Sequence, residues 1–333
     1  MSAYGTLGLP SLPYVGNSAG IQTHLGTIIP PAGGRIAAYV RSTGKQTGDD
    51  EAFARRIVTT LNKGLAQCRS GKPDVVVVLP GHAENISAAD YASSLVAGTR
   101  IIGLGSGALR PTFTWTVNGS TFLLDVADVE IHNCILQFAT APGTTTAATV
   151  AAPITVSAAG CGIFGCRINF GIDADQKVTV GITTTAAADD FSFVGNRCYS
   201  DVAATCVTFL RLVGADRARI LDNEIIGATT AVAIGLIQFI TTDSLHVTMD
   251  RNKIYHILAA SEACVSVSAG ATSSTGFIDN LYMVTLANSA NQLVLGHASG
   301  AWGLSAALFG FGRFINVTNL AGERAAEVTV VSA

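Results

Sequence analysis

The sequence predicts an all-β fold, a parallel β-solenoid in which short strands stack rung upon rung. Three observations indicate this fold: a six-residue pattern that recurs about every 30 residues, a second alternating strand between its copies, and one convincing helical segment ahead of them. A unit of this size cannot bury its apolar face alone, whereas stacked copies can. The chain of 333 residues is therefore interpreted as one repetitive body with distinct ends.

The composition narrows the class of protein. Only 13% of the residues are charged, which is about half the usual share. The net charge is −3, and no basic stripe indicates a nucleic-acid partner. No apolar run reaches the roughly 18 residues of a membrane helix, and the first residues lack the pattern of a signal peptide. We expect no nucleic-acid partner and no membrane partner.

Residues 1–46 are predicted to form an extended N-terminal arm. They hold four prolines and many glycines with little periodicity, and they end in a predicted strand at 35–42. An arm this apolar is expected to lie on its own body or on a neighbouring subunit.

Residues 47–72 are predicted to form an α-helix that caps the solenoid. Its apolar residues recur every three or four positions and make one face: Phe53, Ile57, Leu61, Leu65 and Cys68. Thr47 or Asp49 can cap the start, and Gly71 and Pro73 end the pattern. Because the open end of a solenoid exposes strand edges, we expect this helix to cover the first rung.

Residues 73–295 are predicted to form the solenoid, starting with a buried strand and a turn at 74–87. Six hexads begin and end with an apolar residue or Cys, and their fourth residues are Cys134, Cys166, Asn196, Asn223, Asn252 and Asn280. Asn tolerates the left-handed backbone region better than most residues, and amides on successive rungs can hydrogen-bond as a ladder. The pattern therefore predicts a polar ladder at one corner of the rungs.

A second strand recurs between the hexads with strict alternation, at 153–158, 177–182, 208–213 and 264–269. The repeat is lost over residues 296–333, which contain Trp302, Phe309, Phe311 and Phe314. We predict that this aromatic segment caps the far end or makes contacts with a partner.

The cysteines give no disulfide framework. There are seven, an odd number, and no pair has the spacing of a CxxC motif. We interpret them as small buried residues of a protein made in a reducing cytoplasm.

A resemblance to a known family rests on specific stretches. The capping segment, the run GKPDVVVVLPGHAENI and the rungs with an Asn corner resemble the right-handed parallel β-helix of the pectate-lyase-like superfamily. More narrowly, residues 36–86 together with AGTRIIGLGSG at 97–107 resemble structural proteins of tailed bacteriophages. The resemblance covers roughly residues 35–285. It implies a right-handed β-helix with a role in the virion, in some relatives as a trimer that decorates the capsid.

Two carboxylates are the first pair to test for enzyme activity. Glycosidases need two carboxylates about 5–9 Å apart. Asp222 and Asp279 are both assigned to the position before the ladder Asn, two rungs apart, which corresponds to about 10 Å. Arg251 lies between them in the sequence, so a charge-balanced surface stripe explains the same pattern.

The pectate lyases of this fold imply calcium held by aspartates and an arginine base. No such cluster recurs on neighbouring rungs of this sequence. We therefore expect no enzyme activity, no cofactor and no metal site, with a polysaccharide lyase or glycosidase as the alternative.

The leading expectation for function follows from the resemblance and the low charge. It is a structural virion protein of a tailed phage, most specifically a capsid decoration (cement) protein that stabilises the head. The resemblance implies a homotrimer on the capsid exterior, bound to the major capsid protein and assembled in the host cytoplasm. The alternative is a tailspike or fibre that binds or cleaves host-surface polysaccharide. A third possibility is a secreted polysaccharide lyase, which the missing signal peptide disfavours.

Overall fold

The fold is a parallel β-solenoid built from three sheets of 11, 8 and 7 strands. The computed structural model describes residues 30, 32–47, 49, 54–87, 91–138, 151–172, 177–204, 206–229, 234–257, 264–267, 271, 274–279, 282–285, 293–294 and 302–304. The prediction of an all-β solenoid from the repeat is confirmed.

Short strands make up nearly all of the regular structure in the described residues. In chain order they are β1 (Ile36–Val40), β2 (Ile57–Val58), β3 (Val75–Val78), β4 (Ala83–Ile86), β5 (Arg100–Gly103), β6 (Thr112–Trp115), β7 (Phe122–Leu124), β8 (Glu130–His132), β9 (Ile135–Gln137), β10 (Ile154–Val156), β11 (Gly162–Phe164), β12 (Arg167–Gly171), β13 (Val180–Thr184), β14 (Ser192–Val194), β15 (Arg197–Ser200), β16 (Thr208–Leu212), β17 (Arg219–Leu221), β18 (Glu224–Gly227), β19 (Ile237–Phe239), β20 (Val247–Asp250), β21 (Lys253–His256), β22 (Val265–Val267), β23 (Gly276–Asp279), β24 (Tyr282–Thr285), β25 (Leu293–Val294) and β26 (Trp302–Leu304). The helical elements are α1 (Leu61–Leu65) and a 3-10 turn at Gly107–Leu109.

Each full turn of the solenoid contributes one strand to each sheet. From β5 to β23, each strand pairs in parallel with the strand three places later, as β11 does with β14 and β14 with β17. The 11-stranded sheet runs β2-β1-β3-β5-β8-β11-β14-β17-β20-β23-β26. The 8-stranded sheet runs from β24 to β4, and the 7-stranded sheet runs from β25 to β7.

The interior of the solenoid is one continuous apolar core, and Tyr39, Val75, Val77, Leu79 and Ile102 form a second, smaller buried cluster. Side chains alternate in direction along each short strand, so the middle residue of each hexad strand points inward. In the 11-stranded sheet these inward residues stack in register and are at most 3% exposed: Ile131, Ile163, Phe193, Ile220 and Met249. At another corner the rings of Trp115, Phe138, Phe170 and Phe209 follow one another at centroid distances of 4.6, 5.6 and 4.2 Å.

The predicted capping helix over residues 47–72 is not confirmed. Among the described residues of this range, Leu61–Leu65 forms a helix, whereas Ile57–Val58 forms a strand that pairs with β1; residues 48 and 50–53 lie outside the described residues. Two β-branched residues followed by two threonines favour extended backbone, and Thr60 then starts the helix by accepting a hydrogen bond from the Lys63 N–H. The 3.6-residue pattern is present in the sequence, but an extended strand replaces part of the helix that it predicts.

The short helix nevertheless packs on the core. Leu61 and Leu65 are buried, and Gly64 lets the helix approach the sheet, because a Cβ there would lie 3.0 Å from side-chain atoms of Val40 and Val76. The close approach explains a glycine in a helix, which otherwise costs about 1 kcal/mol relative to Ala.

The predicted N-terminal arm and C-terminal segment are only partly covered by the described residues. The strand predicted at 35–42 is observed as β1, while residues 1–29 of the predicted arm lie outside the described residues. The 11-stranded sheet continues to β26, which pairs Trp302 with Gly276. One strand of this sheet therefore lies within the segment 296–333 that was predicted as a cap or contact segment. Phe309, Phe311 and Phe314 lie outside the described residues.

Candidate functional site

The corner between the 11-stranded and 8-stranded sheets holds a buried ladder of amides. Asn196, Asn223 and Asn252 are at most 1% exposed. The Oδ1 atom of each accepts the backbone N–H of the corner residue one rung earlier, at 2.9 Å for Cys166, 2.9 Å for Asn196 and 3.1 Å for Asn223. The ladder thus ties each rung to the one before it.

The second end of each amide makes an equally regular contact. The Nδ2 atoms of Asn196, Asn223 and Asn252 donate to the carbonyl oxygens of Ile163, Phe193 and Ile220 at 2.9, 2.8 and 2.7 Å. Each acceptor lies three residues before the corner of the preceding rung. A buried backbone group without a hydrogen-bond partner is costly. These bonds supply partners to backbone carbonyl groups beside the sharp corner.

The left-handed residue of the corner is not the ladder residue, so that part of the expectation is wrong. It is the preceding residue, with φ of 54° at Asn133, 59° at Gly165, 67° at Gly195, 57° at Asp222 and 53° at Arg251. Residues of this kind turn the chain, which frees the next side chain to point inward. The amide at the ladder position therefore serves through its hydrogen bonds and not through its backbone conformation.

Cysteines continue the ladder toward the N-terminal end. The strand register places Cys134 and Cys166 directly below Asn196. The Cys166 thiol faces the carbonyl of Ile131 at 3.9 Å, which is the acceptor that an amide would use on that rung. Burial raises the pKa of Cys166 to about 11, so the thiol stays protonated and able to donate.

The strands on either side of Asn280 fix how this part of the sequence aligns with the preceding rung. The strands pair Asp250 with Asp279 and Lys253 with Tyr282. By this register, Asn280 aligns in sequence with Arg251, and Leu281 aligns with Asn252. Asn280 itself lies outside the described residues.

The carboxylates of the catalytic test pair do not occupy equivalent positions. Asp222 is the left-handed residue after β17, whereas Asp279 is the last residue of β23 and pairs with Asp250. Arg251 donates to both oxygens of Asp222, from Nε at 2.6 Å and Nη2 at 2.8 Å, and also pairs with Asp250. These bonds hold the pKa of Asp222 below its ordinary value.

Other exposed charges are paired across rungs in the same way. Arg217 donates to Asp190 from Nε at 2.8 Å and contacts Asp189 at 3.3 Å. The hydrogen bond from Arg217 holds the pKa of Asp190 below its ordinary value. Arg197 donates to Glu224 at 2.8 Å on the 8-stranded sheet. These charged side chains therefore link successive rungs.

A second column of left-handed residues flanks the other edge of the 11-stranded sheet, and it was not predicted from the sequence. Its members lie two positions before the aligned residues Arg100, Glu130, Gly162, Ser192, Arg219 and Thr248. They are Gly98, Asp128, Gly160, Asp190, Arg217 and His246. The signal that could have found it is the recurrence of Gly or Asp two positions ahead of the hexad strands. The 11-stranded sheet is thus bounded by a sharp corner on both sides.

An open cleft of about 420 Å³ lies along this second column near the N-terminal end. Lys72, Arg100, Asp128 and Glu130 line it. Arg100 pairs with Glu130 at 2.9 Å, and His132 contacts the same Glu130 oxygen at 2.9 Å. Burial raises the pKa of Glu130, but hydrogen bonds from His132 and Arg100 outweigh it and hold the pKa below its ordinary value.

A buried carboxylate anchors the first turn of α1. Glu84 accepts the Leu61 backbone N–H at 2.8 Å, contacts His82 Nε2 at 2.9 Å and accepts the Tyr91 hydroxyl. His82 is 1% exposed. No sequence pattern singled out Glu84, because its partners come from separate segments of the chain.

Three further findings concern possible metal sites, membrane-spanning helices and exposed apolar side chains in the described residues. Within them, no group of three or more His, Cys, Asp or Glu side chains is arranged to hold a metal ion. None of the helices found there has both the length and the apolar character needed to cross a membrane. Among the large apolar side chains, Tyr199 and Phe277 are exposed by 45% and 43%.

The fold and these contacts are what characterise the protein, since comparison with protein-family models, curated proteins and solved structures gives no match to the chain.

Proposed function

We propose that this chain is a structural protein of a tailed-phage virion, most specifically a capsid decoration protein. The observation that supports it best is the buried amide ladder together with the ion pairs that cross from rung to rung. These contacts use polar and charged groups to hold one rung to the next, as a rigid scaffold requires. The phage assignment itself rests on the resemblance of residues 35–285 to phage structural proteins.

The state of the carboxylates favours a scaffold over a glycosidase. A general acid needs a carboxyl whose pKa is raised toward the working pH. The pKa values of Asp222, Asp190 and Glu130 are instead held low by arginine or histidine partners. Such carboxylates stay ionised and engaged, which suits cross-linking between rungs.

In this proposal the chain acts as a homotrimer on the exterior of the capsid and is assembled in the host cytoplasm. Its partner is the major capsid protein, and it stabilises the head. The decisive measurement is the place and copy number of the chain in purified virions, by immuno-electron microscopy and quantitative mass spectrometry. Hundreds of copies on the head are expected. A few copies at the tail would overturn the decoration role.

One observation favours the alternative of a tailspike or fibre that binds host polysaccharide. Tyr199 and Tyr255 lie two rungs apart on the outer face of the 8-stranded sheet, with Ile226 between them in register. Two rungs span about 10 Å, and rings on an outer face at such a distance can stack on sugars. Binding of host-surface polysaccharide that is lost in Tyr199→Ala would support this alternative.

A direct test separates scaffold from enzyme. The purified protein is incubated with capsular polysaccharide or pectin, and new reducing ends or unsaturated products are measured. We expect no cleavage. Cleavage that disappears in Asp222→Asn, with Asp125→Asn as the matched exposed control, would overturn the non-enzyme proposal.

A further inference from the structure

The turn between β6 and β7 holds the one Asn-Gly pair of the sequence, Asn118 followed by Gly119. The turn spans residues 117–120, and the Ser120 N–H closes it by donating to the Val117 carbonyl at 3.1 Å. Gly119 has φ of 84°, in the left-handed region that glycine adopts without strain. Val117, Asn118 and Gly119 are all exposed. The amide of Asn118 therefore lies in solvent at the tip of a glycine turn.

The backbone nitrogen of Gly119 is accessible and unengaged. Its N–H donates to no acceptor among the described residues, and a Cβ on Gly119 would meet no atom within 4 Å. The Asn118 side chain makes no hydrogen bond with the described part of the chain either. No contact of the described fold therefore holds this amide away from the nitrogen that follows it.

An exposed asparagine is one of the labile side chains of proteins, and a following glycine opens a specific route. The Gly119 nitrogen, after losing its proton, attacks Cγ of Asn118, because glycine has no side chain to obstruct the approach. A C–N bond forms, the bond from Cγ to the side-chain nitrogen breaks, and that nitrogen leaves as ammonia with a proton from solvent. Water then opens the five-membered succinimide at either of its two carbonyls, which gives aspartate or isoaspartate. Water is the co-reactant, and no electrons are transferred.

Other asparagines of the described residues are protected against this reaction. Asn196, Asn223 and Asn252 are buried, and their amides are bonded within the ladder. Asn85 is exposed like Asn118, but it lies within β4 and is followed by Ile86, which is fully buried. A strand fixes the backbone, and a β-branched side chain obstructs the attack. Exposure and an unhindered following nitrogen coincide at Asn118.

We propose that Asn118 is a site of spontaneous deamidation, which converts it through a succinimide to aspartate and isoaspartate in the folded protein. Either product adds one negative charge to a chain whose net charge is −3. Isoaspartate also inserts its Cβ into the main chain at the tip of the turn. Ser120 is 1% exposed, and its hydroxyl donates to the Val117 carbonyl at 2.6 Å, so the base of the turn stays anchored. This chemistry does not depend on a virion role.

The test is incubation of the folded full chain in mildly alkaline buffer, followed by peptide mapping. The mass gain from replacement of an NH₂ by an OH locates each deamidated asparagine, and electron-transfer fragmentation distinguishes aspartate from isoaspartate. We expect Asn118 to be lost before Asn85 and the ladder asparagines, with both products formed. The loss is expected to be faster at higher pH, because the attacking nitrogen must lose its proton. Far-UV circular dichroism is expected to stay unchanged.

Gly119→Ala is the matched variant, because the added methyl group enters open space but obstructs the attack on Cγ. We expect it to retain the Asn118 amide far longer than the wild type. If alanine at this positive φ prevents folding, Asn118→Gln replaces it and is expected to keep its amide, since its longer side chain would have to close a six-membered ring. Equal loss in the wild type and Gly119→Ala, or earlier loss at Asn85 than at Asn118, overturns the proposed site. Aspartate as the sole product overturns the succinimide route.

Discussion

The Oδ1 atom of Asn252 accepts two hydrogen bonds from Asn223, one from its backbone N–H at 3.1 Å and one from its side-chain amide at 2.9 Å. The same geometry recurs between Asn223 and Asn196 at 2.9 and 3.1 Å. Buried amides therefore link successive turns directly. Because the amide of each rung accepts N–H groups of the preceding rung, the ladder couples local folding of one turn to that of the next.

Asn252→Val is expected to destabilise the solenoid strongly. The valine fills much of the same volume but leaves the Asn223 N–H, the Asn223 side-chain amide and the Ile220 carbonyl without their partner. At about 1–2 kcal/mol for each unpaired buried group, the loss is about 3–6 kcal/mol. Urea unfolding followed by circular dichroism measures it.

Lys253→Val is the control for that change, because Lys253 is the exposed next residue on the same rung. We expect it to stay within about 0.5 kcal/mol of the wild type. An Asn252→Val protein as stable as Lys253→Val would show that the ladder contributes nothing to stability.

Cys166→Asn is expected to be tolerated or stabilising. An asparagine at this corner can donate to the Ile131 carbonyl, as Asn196 does to Ile163 one rung later. Replacement of a weak thiol donor by an amide is expected to raise the free energy of unfolding by up to about 1 kcal/mol. Cys166→Val is the matched comparison, since it keeps the volume and removes the donor. Thermal melts that rank Val above Asn at this position would contradict the equivalence of thiol and amide.

The repeat could be predicted from the sequence because asparagine recurs at the same corner of successive rungs, and the spacing of these residues gives the period. Asn196, Asn223 and Asn252 were identified as ladder residues from spacing alone. Their backbone role was assigned wrongly, because spacing cannot separate the residue that turns from the adjacent residue that points inward. The prediction of a helix over 47–72 is not confirmed for a different reason. Ile57 pairs with Tyr39 of β1, and a tertiary pairing of this kind overrides a helical pattern.

Glu84→Ala is expected to loosen α1 from the solenoid. Glu84 joins the Leu61 N–H, His82 and Tyr91 in one buried cluster. Loss of the carboxylate leaves the helix N–H and the histidine unpaired, at a cost of about 2–4 kcal/mol. Hydrogen exchange at Leu61–Leu65 measures the local opening directly.

Glu84→Gln supplies the control for that cluster. The amide oxygen can keep the bonds to Leu61 and His82, while its NH₂ can donate to the Tyr91 oxygen. Exchange at α1 is then expected to rise far less than in Glu84→Ala. Equal protection in the wild type and in Glu84→Ala would mean that core packing by Leu61 and Leu65 alone holds the helix.

Acid is expected to destabilise the N-terminal part of the solenoid through Asp74. This fully buried carboxylate accepts the backbone N–H groups of Arg35 and Arg69, both at 3.0 Å, and two hydrogen bonds from the Arg69 guanidinium. The Arg69 side chain is the main cause that lowers the pKa of Asp74 below its ordinary value. A lowered pKa contributes stability that is fully present above the ordinary carboxyl value, about 4, and is lost as the pH falls through the lower folded value.

Asp74 should therefore cause no change in the urea midpoint of the wild type near neutral pH. The midpoint should decrease as the pH is lowered below about 4. Asp74→Asn is expected to be less stable at neutral pH, because an amide cannot accept all of these donors, and to lose less stability on acidification. Asp125→Asn, a change at an exposed carboxylate, should keep the acid dependence of the wild type. If Asp74→Asn kept the full acid dependence, the stabilising carboxylates would have to be sought elsewhere, with Asp190 and Asp222 as the next to replace, because arginine partners lower their pKa values too.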